Sequence, residues 1–168
     1  KEKGCVEVIL HAQGETPVRY TLNGSDPTAD SPLYTEPVEI RESCTLKAKS
    51  DIEGSRVFAR TFESHAAMGR PVTLITEAHP NYTFSCPDML TDGNTGEGPY
   101  NSGDYAGWYN QQMEVIIEMN GTSYNEVTLS TYVFKADWIF GPKKISILTS
   151  EDGETYTELA AQEIEDNG

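Results

Sequence analysis

Short runs in which apolar and polar residues alternate dominate this sequence and restrict the folds open to it. In the first third, β-branched and aromatic residues concentrate in four such runs: CVEVIL (Cys5 to Leu10), VRYTL (Val18 to Leu22), CTLKAKS (Cys44 to Ser50) and RVFARTFE (Arg56 to Glu63). A period of two places alternate side chains on one face of a strand. The runs therefore predict strands of half-buried sheets.

The rest of the chain repeats the pattern. Five further runs, PVTLI, MEVIIEM, NEVTLSTYV, KKISILTS and TYTEL, are separated by turn clusters such as TDGNTGEG and SEDGET. No window of 11 residues carries a helical stripe of apolar residues. Short strands with turn-rich connections are typical of β-sandwiches, so we predict an all-β protein.

The segment SHAAMGR, residues 64–70, marks the expected domain boundary. It contains small residues and one glycine, lacks strand alternation, and separates two groups of strands that each have enough apolar residues for a core. We therefore predict one domain over residues 1–63 and a second over residues 64–168.

Charge excludes some partners. The formal net charge is −15, from 12 Lys and Arg residues against 27 Asp and Glu residues. Such a field repels phosphate backbones and anionic lipid surfaces, so we expect no nucleic-acid partner. No apolar run approaches the ~20 residues that span a bilayer, so we expect no membrane insertion. The N-terminal KEKGCVEVIL has no signal-peptide pattern, and we expect any export signal to lie outside it.

Three cysteines, Cys5, Cys44 and Cys86, cannot all pair internally, and none has C-x-x-C spacing. A disulfide between Cys5 and Cys44 across strands is one alternative. Buried free thiols are the expectation that we favour.

The stretch from Tyr20 to Tyr34, YTLNGSDPTADSPLY, mixes turn residues with acids. Asn23-Gly24 predicts a two-residue type I′ hairpin, and Asp26-Pro27 predicts a second reversal. Asp26 and Asp30 share the loop, but the oxygen spacing of an EF-hand is absent. We interpret the stretch as turn structure rather than as a ligand site.

A family resemblance agrees with this interpretation. The residues from Arg19 to Val57, RYTLNGSDPTADSPLYTEPVEIRESCTLKAKSDIEGSRV, resemble the small sandwich module on the C-terminal side of chitobiases and bacterial β-N-acetylhexosaminidases. The shared pattern is Y-T-x-D/N-G-S-x-P, then S-x-x-Y, then s-x-T-x-K-A. The resemblance implies a scaffold with no catalytic residue.

The second half resembles a discoidin-type, or coagulation-factor C-type, galactose-binding-like jelly roll, over about Pro71 to Leu159. The motifs are Leu90-Thr91-Asp92-Gly93, Tyr105 to Trp108, Val115 to Met119, Trp138-Ile139-Phe140 with Pro142, and Ser150-x-Asp152-Gly153. The resemblance implies an immunoglobulin-like or fibronectin-like sandwich followed by a jelly roll that is incomplete at its C-terminus.

The two modules in this order, with the joint HAAMGRPVTL, resemble the C-terminal end of a bacterial glycoside hydrolase family 20 enzyme. In that family an Asp-Glu pair on a barrel catalyses, and a barrel of about 250 residues is absent here. We therefore expect a non-catalytic accessory region that stabilises the barrel of the same parent chain and contacts glycan. The expected location is periplasmic, cell-surface or secreted. The alternative is an autonomous carbohydrate-binding or adhesion module without an enzyme.

Two candidate sites follow. Sugar faces stack on exposed aromatic rings, and polar side chains bind the hydroxyls, so we predict five candidate carbohydrate-binding residues: Tyr105, Trp108, Tyr109, Asn81 and Tyr82. For Trp108 and Tyr109 the alternative is packing under the loop. Trp138, beside Ile139 and Phe140, is expected in the core.

Many discoidin-like modules hold structural Ca²⁺ after L-x-D-G. The resemblance therefore implies Asp92 as a calcium ligand, with Asn94 and Thr95 as possible loop oxygens. The alternative is that Asp92 only caps a turn in which Gly93 has a positive φ.

Overall fold

The computed structural model describes residues 4–12, 14–96 and 98–165, and over these residues the protein is all-β, which confirms the predicted fold class. The described strands are β1 (Val6–Val8), β2 (Val18–Thr21), β3 (Val38–Ile40), β4 (Cys44–Ser50), β5 (Phe58–Phe62), β6 (Val72–Leu74), β7 (Val115–Ile117), β8 (Lys144–Thr149) and β9 (Thr157–Glu163). Three 3₁₀ turns accompany them, at Pro80–Tyr82, Asp88–Thr91 and Lys135–Asp137. No helix among the described residues is long and apolar enough to cross a bilayer.

Two small antiparallel sheets enclose the main core. Strands β1 and β3 form one sheet, and β2, β4 and β5 form the other in the order β2-β4-β5. The core cluster draws on both sheets and consists of Val18, Val38, Ile40, Leu46, Ala48, Phe62 and Met68. The first third of the chain is therefore a β-sandwich.

Alternation explains which side chains enter this core. In β4, Leu46 and Ala48 are buried two residues apart, as a period of two requires. In β3, Val38 and Ile40 are buried around the exposed Glu39. The alternating pattern did not predict β3, because its three residues follow a proline and are too few to show a repeat.

The segment 64–70 is a turn without strand pairing, and it is anchored to the sandwich. Met68 is only 1% exposed and belongs to the core cluster. Gly69 has φ +64° and lies so close to the Cys5 carbonyl that a Cβ atom would overlap it. Residues 64–70 therefore complete the core, and the domain boundary predicted there stays a prediction.

Contacts divide the chain into two compact units, Lys1–Ser130 and Thr131–Gly168. In the first unit, β6 pairs antiparallel with β7. In the second, β8 pairs antiparallel with β9 through a turn in which the Asp152 carboxylate accepts the N–H groups of Glu154 and Thr155. These hydrogen bonds lower the pKa of Asp152. The assignment of the second half as a jelly roll stays a prediction.

One predicted strand is wrong. The run NEVTLSTYV, residues 125–133, forms no strand. Val127, Leu129 and Val133 are all exposed. Alternation predicts a strand only where a neighbouring strand supplies hydrogen bonds and a sheet supplies a covered face, and neither is described for this segment.

The stretch from Tyr20 to Tyr34 is a turn structure, but the type I′ hairpin at Asn23-Gly24 is wrong. Gly24 has φ +77°, whereas Asn23 does not have a positive φ, which a type I′ turn requires of both residues. Instead, the chain returns beside β2, where Leu33 forms an antiparallel bridge with Arg19. The Tyr20 N–H donates to Pro32 O, and the Tyr34 N–H donates to Val18 O. The Asn23 side chain accepts the Ser25 N–H and stabilises a local turn.

The three cysteines, all in the described part of the chain, are thiols rather than disulfides, as favoured over a disulfide between Cys5 and Cys44. All three are half-buried rather than buried. Burial raises the pKa of the Cys44 thiol, and burial with the nearby Glu77 and Asp88 raises that of Cys86.

Gly24→Val should lower the free energy of unfolding by about 1 to 2 kcal/mol, because a β-branched residue resists the positive φ that this position requires. The measurement is urea denaturation. Gly24→Asn is the matched control and should lose less, since asparagine tolerates that backbone region. A valine variant as stable as the wild type would contradict the assignment.

Candidate functional site

Four aromatic rings contact one another on the first unit, and we call His79, Tyr82, Tyr100 and Tyr109 the ring cluster. The His79 ring lies 6.1 Å from Tyr109 in an edge arrangement and 5.6 Å from Tyr82 in a tilted one. The Tyr82 ring lies 6.3 Å from Tyr100. Tyr109 is 71% exposed and Tyr82 is 38% exposed. The cluster therefore presents aromatic surface to solvent.

Backbone hydrogen bonds hold the two segments that carry most of these rings. The His79 N–H donates to Gly107 O at 2.7 Å, and the Gly107 N–H donates to Tyr82 O at 3.1 Å. Gly107 packs against Tyr82, whose Cβ would lie 3.2 Å from an added Cβ. The 3₁₀ turn at Pro80–Tyr82 begins after His79, whose Nδ1 accepts the Asn81 N–H. The segments 79–82 and 107–109 thus form one ordered surface.

Trp108 is anchored beneath this surface. Its indole N–H donates to Thr76 O at 2.9 Å, and the ring is half-buried. Nearby, the Gln111 side-chain amide donates to Glu77 O, and the Thr76 hydroxyl bridges Gln112 O and the Glu114 N–H. Trp108 therefore fixes the segment that carries Tyr109.

The predicted sugar-binding residues differ in exposure. Tyr109, Tyr82 and Asn81 are exposed, and the first two contact His79. Tyr105 is half-buried, donates its hydroxyl to Gly96 O at 3.1 Å and packs against Gly96. Among the five, the structure brings Tyr109 and Tyr82 into one exposed cluster and uses Tyr105 inside a loop. Their role in binding stays a prediction.

The placement of Trp138 in the core is wrong, because its side chain is 84% exposed. Trp138 ends the 3₁₀ turn at Lys135–Asp137 with φ +61°. The neighbouring Phe140 is also 61% exposed. Apolar neighbours in sequence did not indicate burial, because a side chain needs covering elements that only the fold supplies.

Side-chain to backbone hydrogen bonds order the described part of the loop between residues 92 and 105, which is residues 92–96 and 98–105. Asp92 Oδ1 accepts the Asn94 N–H at 2.8 Å, across Gly93, which has φ +78°. Asn94 Oδ1 then accepts the Gly96 N–H at 3.1 Å. This is the geometry of two successive Asx turns, with glycine where the backbone must turn left-handed.

A buried carboxylate stands at the centre of this loop. The side chain of Asp104 is 8% exposed, and its Oδ1 lies 2.8 Å from the Arg60 guanidinium. Its Oδ2 accepts the Ser102 hydroxyl at 2.9 Å and the Gly98 N–H at 3.3 Å. Asn94 links the two sides, because its Oδ1 also accepts from Arg60 at 3.3 Å. Arg60 is therefore the positive charge of the loop.

The electrostatics at Asp92 reflect burial. Desolvation raises the pKa of the Asp92 carboxyl, and nearby Asp104 raises it further, whereas the Asn94 N–H and Arg60 lower it. Desolvation is the largest of these effects. The Asp92 carboxylate is thus half-buried and is stabilised mainly by the hydrogen bond from the Asn94 N–H.

The residues of this loop fit a hydrogen-bonded turn better than a calcium shell. Calcium takes about six to eight oxygen ligands. Here the side-chain oxygens of Asn94 and Asp104 accept hydrogen bonds from N–H and O–H donors, and a guanidinium supplies the positive charge. Over residues 4–12, 14–96 and 98–165, no three His, Cys, Asp or Glu side chains are grouped to hold a metal ion.

Sequence reasoning missed two residues of these sites. His79 is not among the predicted binding residues, although its position close to Asn81 and Tyr82 in the chain places its ring in the same exposed segment. Arg60 was interpreted only as part of a strand, and no sequence signal pairs it with Asp104, 44 residues further on. Long-range ion pairs of this kind depend on topology.

Comparison with known families supports the first sandwich at a coarse level. Residues 8–62 match the model of a family described as Fn3 associated. The match runs from the end of β1 to the end of β5 and indicates an accessory module, compatible with the C-terminal side of a glycoside hydrolase. No curated protein matches the chain.

Asp92→Ala should lower the free energy of unfolding by about 1 to 2 kcal/mol, because it removes a half-buried acceptor from the Asn94 N–H. Asp92→Asn is the matched control and should lose less, since its amide oxygen still accepts that bond. Denaturant titrations with and without calcium provide the measurement. If both variants lose stability only when calcium is present, the calcium site is supported instead.

Proposed function

We propose that this chain is a non-catalytic accessory region of an exported bacterial β-N-acetylhexosaminidase. In this proposal the sandwich and its attached loops stabilise and orient the catalytic barrel of the same parent chain. The ring cluster contacts glycans that contain N-acetylhexosamine. The Fn3-associated match and the hexosaminidase-like sequence pattern support the parent enzyme.

The exposure of Tyr109 carries the glycan part of the proposal. A tyrosine that is 71% exposed, and that contacts the edge of another ring, leaves a face open for the C–H face of a sugar. Exposed Asn81 and Asn110, next to Tyr82 and Tyr109 in the chain, offer amides for sugar hydroxyls. These are the two components that carbohydrate recognition requires.

Order and charge support the same ligand class. Since the segments at 79–82 and 107–109 are already fixed by backbone hydrogen bonds, binding orders few additional groups. A net charge of −15 disfavours anionic glycans and leaves neutral N-acetylhexosamines favoured. Because the rings form an open surface rather than a deep pocket, the affinity should be weak.

Tyr109→Ala should reduce the affinity for N,N′-diacetylchitobiose at least about fivefold, equivalent to roughly 1 kcal/mol, because it removes the most exposed ring of the cluster. The measurement is a titration followed by NMR, which detects weak binding. The melting temperature should change little, since so exposed a ring contributes little to the core.

Tyr124→Ala is the matched control. Tyr124 is a 37% exposed tyrosine of the same unit that makes none of the ring contacts of the cluster. Its replacement should leave binding unchanged. Binding that survives both Tyr109→Ala and Tyr82→Ala would move the sugar site away from the ring cluster.

The isolated chain should not hydrolyse an aryl N-acetylglucosaminide. Hydrolysis needs a pair of carboxyl groups facing one sugar, and the buried Asp104 beside Asp92 has both oxygens engaged by Arg60, Ser102 and Gly98. The measurement is release of the aryl alcohol at high protein concentration. Turnover that co-purifies with the chain and disappears in Asp104→Asn or Asp92→Asn would refute the accessory role.

A further inference from the structure

Arg60 occupies an unusual place in the sandwich. It lies on β5 directly opposite Leu46 of β4, and it shares a strand face with Phe62, two residues further on. Leu46 and Phe62 are both core residues. The Arg60 side chain is only 25% exposed, and its guanidinium extends from the border of this apolar face into the loop at residues 92–105.

The loop is organised around that guanidinium. Arg60 binds Asp104 at 2.8 Å and Asn94 at 3.3 Å, and Asn94 in turn donates its amide to Asp104 at 3.4 Å. Two acidic side chains, Asp92 and Asp104, interact electrostatically with each other and with this cation. A buried carboxylate is strongly unfavourable without a positive partner, so Arg60 is required for Asp104 to remain buried.

We propose that Arg60 takes the place of a divalent cation in this loop, as a positioning residue that fastens residues 92–96 and 98–105 to the sandwich. The resemblance to discoidin-like modules implies calcium at Asp92. The structure instead places a guanidinium among the acidic side chains, and loop N–H and O–H groups donate to Asp92 Oδ1, Asn94 Oδ1 and Asp104 Oδ2. Order in this loop is therefore independent of calcium and depends on β5.

The loop that Arg60 holds also carries part of the ring cluster. Tyr100 of the ring cluster lies within it, and Tyr105 at its end packs on Gly96 just before the segment that carries Trp108 and Tyr109. Arg60 thus sets the geometry of part of the ring cluster. Only this consequence rests on the proposed glycan-binding function, and the role of Arg60 in the loop is independent of it.

The experiment compares Arg60→Met with the wild-type chain by amide hydrogen exchange and by thermal melting with added calcium chloride or EDTA. Wild-type melting should respond to neither addition. Arg60→Met should accelerate exchange in residues 92–105 at least tenfold, because the Asp104 carboxylate loses its cation and pulls the loop toward water. Arg60→Lys should give an intermediate rate, since it keeps the charge but not the second contact.

Arg19→Met is the matched control. Arg19 lies on β2 of the same sheet, has a similar side-chain exposure of 23%, and pairs with Asp51 at 3.1 Å. This control should change exchange around its own partner and leave the loop at residues 92–105 unchanged. A general loss of stability would accelerate exchange in both regions in either variant, whereas a positioning role is specific to the loop.

A second variant keeps the test decisive if Arg60→Met does not fold. Asp104→Asn removes the carboxylate charge that requires Arg60, so the double variant Arg60→Met with Asp104→Asn should fold. Where both variants fold, amide exchange in the loop of the double variant should be slower than in Arg60→Met. Three results overturn the proposal: wild-type melting raised by calcium and lowered by EDTA, loop exchange in Arg60→Met equal to wild type, or a double variant that does not fold. If neither the wild-type chain nor any variant binds glycan, while the exchange rates are as expected, only the glycan-binding proposal is refuted.

Discussion

Burial of apolar side chains between two small sheets is the interaction on which the rest of this structure depends. The described strands have only three to seven residues, and a pair of such strands is marginal in water by itself. Ile40, Leu46 and Met68 are each at most 1% exposed, and they join the β1-β3 sheet, the β2-β4-β5 sheet and the segment after β5. Because the segment 64–70 contributes Met68, the path of the chain out of the sandwich is fixed by the same core that stabilises it.

The polar loop, described at residues 92–96 and 98–105, depends on that core for its position. Its backbone is tied to the end of the sandwich, where the Glu63 N–H donates to Gly93 O at 2.7 Å and the Gly69 N–H donates to Thr91 O at 2.9 Å. Arg60 then adds a charge to a place where water is partly excluded. In such a setting a hydrogen-bonded ion pair matters mainly because either partner alone would be costly. The apolar core and the charged loop are thus energetically linked through one strand.

The ring cluster shows how ordered backbone can carry exposed side chains. The indole N–H of Trp108 donates to Thr76 O, whereas its neighbour Tyr109 is exposed to solvent. Two adjacent aromatic residues therefore have different tasks, one as an anchor and one as accessible surface. Composition alone makes them equivalent, and only the pattern of hydrogen bonds distinguishes them.

Alternation and turn chemistry act between residues close in the chain. They were enough to predict the all-β class, most strands of the first sandwich, the positive φ at Gly24 and the turn at Asp92-Gly93. Four features could not be predicted in this way: residues 125–133 form no strand, Trp138 is exposed, Met68 completes the core, and Arg60 pairs with Asp104. Each of these depends on which distant segment covers a side chain or supplies its partner. Burial and ion pairing are properties of neighbours in space, and a linear pattern records neighbours in sequence alone.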